Sequence, residues 1–182
     1  HNAYEKAEGL HFVGISLSMK EPEQRKLFLM QAYQLLEQSE RNEPLEKALL
    51  ARVANSLAEQ LSNGSDDDKQ KARELFSLSI SIKETTEFRD VPGLARSHGG
   101  LGRLAFLYTA PSDIETARKH FQADLEYAEM SGDIVGQSKM HSFLGACGKQ
   151  EESHELAVEH YRKSFDLAQS SIDKFFAGAG LI

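Results

Sequence analysis

Apolar residues recur every three or four positions along most of this chain, a spacing typical of amphipathic helices. Prolines and short polar breaks interrupt the spacing, and the alternation of β-branched residues expected of strands is scarce. Asp113 and Asp133 stand where two helices should begin, and a carboxylate there can accept hydrogen bonds from free backbone N–H groups. Short turns between helices of this length make consecutive helices antiparallel neighbours. The pattern predicts helices at about 4–18, 22–40, 44–61, 67–87, 92–108, 113–130, 134–148 and 151–170.

Three of the predicted helices share a short motif, in which an alanine is followed four positions later by an aromatic residue. The helices that precede the last two share a Leu-Gly pair, which ends at Gly102 and at Gly145. A single helix pair cannot bury both of its faces, whereas a stack of similar pairs buries a continuous core. The repetition therefore predicts an array of helix pairs. The motif reads ARELF at 72–76, ARKHF at 117–121 and AVEHY at 157–161.

Gly145 needs a reason, because glycine weakens a helix interior by roughly 1 kcal/mol relative to alanine. A small residue on the first helix of a pair, Gly145, and a small residue on the second, Ala157, would let the two backbones approach closely. The aromatic residue one turn after the alanine would then fill the gap between successive pairs. We therefore expect close packing to offset the helix propensity that is lost at the glycine.

The sequence resembles the tetratricopeptide repeat family at Leu144-Gly145, Ala157 and Tyr161, with twelve positions from the glycine to the alanine. The stretch MSGDIVGQSKMHSFLGACG is similar to the longer variant, of roughly 40 residues per repeat, seen in kinesin light chains and Leu-Gly-Asn-repeat adaptor proteins. Two features depart from the pattern: tryptophan is absent, and fifteen positions separate Gly102 from Ala117. The resemblance implies an all-α fold, a right-handed α-solenoid of antiparallel helix pairs.

We expect residues 1–182 to form a single repeat domain that belongs to a longer protein. The sequence predicts about four repeats and a partial C-terminal helix. The resemblance is strong over 90–170 and weaker before it. The chain ends on apolar residues, and such a tail permits self-association. The repeats are placed at about 4–40, 44–88, 91–131 and 133–170, the partial helix at 171–182, and the apolar tail at Phe175, Phe176, Leu181 and Ile182.

Charge and cysteine content narrow the class of protein. The net charge of −7 argues against general nucleic-acid binding, which needs a basic face. Cys147 is the sole cysteine, so no disulfide can form within the chain, and a reducing, cytoplasmic location fits best. No apolar run approaches the ~20 residues of a membrane span, so we expect no membrane association.

Candidate catalytic and metal-binding residues are few. His154 and His160 share a helix but lie six positions apart, which is not the i, i+4 spacing of a helical metal pair. The stretch HGGLG at 98–102 lacks the Gly-x-Ser-x-Gly elbow that accompanies an oxyanion loop in hydrolases. Cys147 stands beside small residues, which favours a buried core thiol over a nucleophile. We therefore predict that the protein is not an enzyme and carries no catalytic residue, metal site or cofactor.

The resemblance also implies that the first helix of each pair lines the concave face of the array. Residues 91–108 and 134–149 contain two cations each and no acid, whereas most acids of this region lie on the second helices. A basic groove in an acidic body would attract an acidic peptide. The alternative is that these cations are solvated, or pair with acids of the neighbouring repeat. The expected peptide-binding groove residues are Arg52, Asn55, Arg96, Arg103, Phe106, Lys139, Ser142 and Lys149.

The sequence is compatible with two functions. The first is a protein–protein interaction module that holds a peptide or partner helix in the groove, with an acidic segment as its ligand. The second is a regulatory sensor segment of a larger signalling protein, such as a signal-transduction ATPase or a peptide-responsive regulator, which binds a small effector. The sequence around this segment would discriminate them, because a sensor should adjoin a nucleotide-binding or DNA-binding domain.

Overall fold

A computed structural model describes residues 3–18, 20–39, 43–85, 90–108 and 113–178, with side chains as far as Ser170. These ranges are all-α and contain eight helices and no strand. The helices agree with the predicted ones to within a few residues at most ends, because their apolar periodicity is local and uninterrupted. They are α1 (Ala3–Ser16), α2 (Pro22–Glu37), α3 (Pro44–Leu61), α4 (Asp66–Thr85), α5 (Val91–Tyr108), α6 (Ile114–Ser131), α7 (Ile134–Gln150) and α8 (His154–Gly178).

The last helix differs from the prediction. We expected a helix to end near residue 170 and a further one to begin at 171, but α8 continues without a break to Gly178. The Ser170-Ser171 pair contains neither the proline nor the glycine that ends helices, and serine costs a helix only part of what glycine does. The side chains of the apolar tail, Phe175, Phe176, Leu181 and Ile182, lie outside the described part of the chain.

The helices form two compact units, unit 1 over residues 1–100 and unit 2 over residues 101–182. In unit 1, α1 packs on α2, α2 on α3, and α3 on α4; in unit 2, α6 packs on α7 and α7 on α8. Helix α5 contributes its first part to unit 1 and its second part to unit 2. Consecutive helices are therefore packed neighbours within each unit. Among the described helices, none has the length and apolar character that crossing a bilayer requires.

The connections around α6 and α7 use the predicted caps. The Asp113 side chain accepts a hydrogen bond from the Thr116 N–H at 3.0 Å, and that of Asp133 accepts one from Gly136 at 2.9 Å. Gly132, with φ 68°, ends α6 in the left-handed region, where glycine avoids the steric penalty of a Cβ. These local hydrogen bonds confirm the N-terminal caps inferred from the sequence.

Two small residues of unit 2 leave space for aromatic rings of the second helices. A methyl group at Gly102 would lie 2.6 Å from two ring carbons of Phe121. The Phe121 ring is fully buried, stacks on Phe143 of α7 at a centroid distance of 4.6 Å, and meets the edge of Phe106 at 6.2 Å. Phe121 thus fills the space between its own pair and the next, as predicted.

The expected contact between Gly145 and Ala157 is wrong in its partners. The ring of Tyr161 packs on Gly145, since a methyl group at Gly145 would lie 2.9 Å from the ring. Ala157 instead packs on Gly148. The helices α7 and α8 run antiparallel, so a residue nearer the end of α7 faces one nearer the start of α8. A methyl group at Gly148 would lie 3.0 Å from the Ala157 backbone nitrogen, so the two backbones approach closely at this position.

The glycines of the HGGLG stretch also have a packing role. In unit 1, the fully buried ring of Phe76 on α4 occupies the space that a Cβ of Gly100 would take. In unit 2, the ring of Phe121 occupies the space that a Cβ of Gly102 would take. Residues two positions apart point to opposite sides of a helix. Each glycine therefore leaves space for a different aromatic residue.

Candidate functional site

A polar residue recurs at one position of the second helices. Ser79, Asp124 and Ser164 each lie seven residues after the alanine of the shared motif, and all three are buried. Seven residues are close to two helical turns, so the polar side chain shares the buried face with that alanine. The sequence shows this polar residue within an apolar stripe, but no spacing motif marks it. Its three side chains have different surroundings.

Ser79 joins a buried hydrogen-bond network in unit 1. Its hydroxyl donates to the Ala51 carbonyl at 2.9 Å and lies 3.2 Å from the Ser97 hydroxyl. The Ser97 hydroxyl in turn lies 2.8 Å from Asn55 Oδ1, and the Asn55 amide donates to Glu59. Asn55 was a predicted groove residue, but it is only 6% exposed. Its expected role as a surface contact is therefore replaced by one in helix packing, because both ends of its amide are engaged inside the unit.

Lys83 is the second missed residue of unit 1. It lies on the buried stripe of α4 at 3% exposure, with its ammonium 3.8 Å from Asp90. Burial lowers its pKa to about 8; Asp90 and Glu59 oppose this shift, whereas Arg96 and Arg52 reinforce it. The structure therefore brings two predicted groove residues, Arg52 and Arg96, into the electrostatic range of one buried ammonium. These residues, Lys83, Asp90, Arg52 and Arg96, are called the Lys83 centre below.

The centre of unit 2 is a buried carboxyl. Asp124 lies on the buried stripe of α6 at 7% exposure, and no hydrogen bond or ion pair joins it to any described residue. Burial raises its pKa to about 7, while Arg103 and Lys139 act to lower it and Asp133 to raise it. Arg103, on α5, is half-buried and Lys139, on α7, is exposed. Two predicted groove cations thus lie within electrostatic range of Asp124, and these three residues are called the Asp124 centre below.

The remaining predicted residues of unit 2 have separate surroundings. Ser142 is exposed, and its hydroxyl lies 2.8 Å from that of the buried Ser164. Lys149 is exposed near the end of α7. Phe106 is half-buried against Phe121, which makes it partly a core residue. The three residues therefore differ in how much surface they could offer to a ligand.

Ion pairing tests the alternative that the groove cations are neutralised internally. Arg52 has an acidic partner, Glu8 of α1, at 3.9 Å. Within the part of the chain that the structure describes, the four other groove cations form no ion pair. Internal pairing therefore holds at Arg52 alone among the five. The four cations without a partner are Arg96, Arg103, Lys139 and Lys149.

Cys147 has the properties of a core residue. The thiol is fully buried, and burial raises its pKa to about 11. A thiol with this pKa is protonated at neutral pH, and the thiolate is the nucleophilic form. The side chain packs with the aromatic cluster around Phe121. The predicted burial of Cys147 is confirmed.

No protein-family model matches this sequence, and no curated protein is significantly similar to it. The likeness to tetratricopeptide repeats therefore rests on the residues themselves. The seating of Tyr161 on Gly145 and of Ala157 against Gly148 fits that likeness. These contacts follow from the geometry of any closely packed antiparallel pair, so they do not by themselves identify a family.

Proposed function

We propose that this chain is a tetratricopeptide-like array, a right-handed solenoid of about four repeats that works in the cytoplasm. The proposed repeats are those read from the sequence, at 4–40, 44–88, 91–131 and 133–170. The support is the recurrence of one packing scheme, an aromatic residue of a second helix seated on a glycine of a first helix. Phe121 and Tyr161 follow it within their own pairs, whereas Phe76 of α4 is seated on Gly100 of α5, the first helix of the next proposed repeat. Because the fold alone does not specify a function, the function is inferred from the charged residues of the Lys83 centre and the Asp124 centre.

The proposed activity is protein–protein interaction, with the exposed sides of first helices holding an acidic segment of a partner. The observation that carries it is the absence of ion pairs at Arg96, Arg103, Lys139 and Lys149 within the described residues. Arginine binds a carboxylate through two parallel hydrogen bonds, and such charge-assisted bonds are stronger than neutral ones. A partner carboxylate would supply these cations with the acid that the described residues do not provide.

The Asp124 centre makes the charge of unit 2 depend on pH. Burial holds the pKa of Asp124 at about 7, so near neutral pH the carboxyl is only partly ionised. The neighbouring Arg103 and Lys139 are then incompletely balanced, and the local field favours an anion. As the pH falls below 7, Asp124 gains its proton and the centre becomes more positive. Binding of an acidic peptide should therefore strengthen from pH 8 to pH 6.

The test uses a fluorescent oligoglutamate peptide, followed by anisotropy at low and at physiological ionic strength. We expect salt-sensitive binding, because exposed charges are screened within about 8 Å at physiological salt. Arg96→Glu and Arg103→Glu should each weaken it, one in unit 1 and one in unit 2, and the double variant should abolish it. Arg162→Glu is the matched control, since Arg162 is exposed on the second helix α8.

Two results would count against this function. Binding that survives in the double variant would remove the first-helix cations from the interaction. An equal loss in the Arg162 control would mean that the peptide responds to net charge alone.

A regulatory sensor remains the second candidate, and the Asp124 centre favours it. Asp124 is a buried carboxyl without a hydrogen-bond partner in the described part of the chain, and it lies within electrostatic range of two cations, so an effector that carries both an ammonium and a carboxylate is the proposed ligand. Such an effector would place its ammonium on Asp124 and its carboxylate on Arg103. Thermal-shift measurements with free amino acids test this proposal. Stabilisation that Asp124→Asn abolishes would support the sensor, whereas no shift with any amino acid would count against it.

A further inference from the structure

Two histidines on neighbouring helices of unit 2 meet through their ring nitrogens. His141 of α7 and His160 of α8 have their Nδ1 atoms 2.9 Å apart, with ring centroids separated by 5.2 Å. His141 is buried and His160 is half-buried. The pair lies outside both centres described above. No spacing rule could predict it, because the two residues lie on different helices and meet only after α7 and α8 pack.

Both rings are held in the neutral form. Burial is the main cause that lowers the pKa of each ring, and His160 lowers that of His141 further. Of the nearby charges, Lys163 lowers both pKa values and Glu159 raises them, and these two side chains pair with each other at 2.6 Å. A neutral imidazole has one nitrogen lone pair available, so neutral rings are ready to act as metal ligands.

We propose that His141 and His160 bind one divalent copper or nickel ion through their Nδ1 atoms. An imidazole nitrogen lies about 2.0–2.1 Å from a bound metal ion. Two nitrogens 2.9 Å apart can both reach that distance when they subtend an angle of about 90° at the metal. Square-planar and tetragonal sites, which Cu²⁺ and Ni²⁺ favour, have adjacent ligands at this angle. Tetrahedral Zn²⁺ would need the nitrogens about 3.3 Å apart.

Two imidazole nitrogens of the protein coordinate the ion, and water molecules occupy its remaining coordination positions. Within the described residues, no group of three or more His, Cys, Asp and Glu side chains is placed to hold a metal ion. The ion therefore binds as a clamp between α7 and α8. The hydrogen that one ring shares between the two Nδ1 atoms moves to Nε2 of the same ring, so binding at neutral pH releases no net proton. This site is independent of the proposed peptide surface.

The experiment is a titration of the whole chain with Ni²⁺ by calorimetry, together with thermal unfolding. We expect one ion per chain and a higher Tm with Ni²⁺. His160→Asn should weaken binding at least tenfold and remove the Tm shift. His154→Asn is the matched control, because His154 is exposed on the same helix and does not contact the pair. Circular dichroism of the metal-free variants checks that each one folds.

Unchanged Ni²⁺ affinity in a folded His160→Asn variant would overturn the site, and tighter binding of Zn²⁺ than of Ni²⁺ would overturn the assignment of the ion. A second measurement does not depend on the His160 variant. Electron paramagnetic resonance of the Cu²⁺ complex should show two coordinated nitrogens, and a count of one or none would refute the proposal. It is done in a His1→Ala background, so that the imidazole of His1 cannot add to the count of nitrogens.

Discussion

The seating of Phe121 on Gly102 can be tested by adding a single methyl group. In Gly102→Ala the new Cβ would lie 2.6 Å from two ring carbons, well inside the usual 3.5–4.0 Å contact between carbon atoms. The ring cannot move aside freely, because it is fully buried between Phe106 and Phe143. Overpacking of this kind costs about 1–3 kcal/mol. The alanine recovers roughly 1 kcal/mol of helix propensity. We therefore expect a net loss of up to about 2 kcal/mol.

The assay is urea unfolding followed by circular dichroism, and a second glycine supplies the control. Gly9 lies inside α1, is exposed, and would have no atom within 4 Å of an added Cβ. Gly9→Ala should therefore stabilise the protein by roughly 0.5–1 kcal/mol through helix propensity alone. The two identical substitutions should have opposite signs, which separates packing from propensity.

A double variant locates the clash. In a Phe121→Leu background the ring is absent, so Gly102→Ala should become neutral or stabilising. If Gly102→Ala stabilises the protein with Phe121 in place, the glycine is not required for packing. The explanation for small residues in these helices would then be refuted.

Three further substitutions test other features of unit 2. Burial raises the pKa of Asp124 from 3.8 to about 7. Between about pH 4 and 7 the folded state therefore keeps a proton that the unfolded state releases. As the pH rises through this range, Asp124 lowers the free energy of unfolding by about 1.4 kcal/mol per pH unit. Asp124→Asn should remove this fall and be more stable than the wild type by about 4 kcal/mol at pH 8. The control Asp166→Asn, at an exposed position, should leave the fall in place. Equal pH profiles for Asp124→Asn and the wild type would contradict this prediction. Glu152 has φ 57°, a conformation that costs a non-glycine residue about 1 kcal/mol. Glu152→Gly should therefore stabilise the protein by a similar amount at the turn before α8. A loss of stability in urea unfolding would contradict this prediction. Because the pKa values of His141 and His160 are lowered on folding, the unfolded rings take up protons first. The contribution of this pair to stability should therefore fall as the pH drops below about 6.5, opposite in sign to the contribution of Asp124. In the Asp124→Asn background, His160→Asn should flatten this fall, measured by thermal unfolding, and an unchanged pH profile would contradict it.

The sequence by itself determined the features that depend on near neighbours along the chain. Helix positions follow from apolar periodicity, and the caps at Asp113 and Asp133 follow from a carboxylate placed at a helix start. The shared alanine and aromatic motif also indicated which residues are packed closely, as Gly102 and Phe121 confirm. Helix positions and caps are short-range properties, so no knowledge of the surrounding helices was needed for them.

Tertiary structure decided which side chains meet and how much water each one loses. The antiparallel arrangement of α7 and α8 pairs Gly148, not Gly145, with Ala157. Packing also places Lys83 and Asp124 inside their units, moves Asn55 away from the predicted surface, and joins His141 to His160. Periodicity shows the side of a helix on which a residue lies, but the pKa of that residue depends on desolvation by neighbouring helices. Those neighbours are distant in sequence, so only the packed structure could decide the charges around the candidate sites.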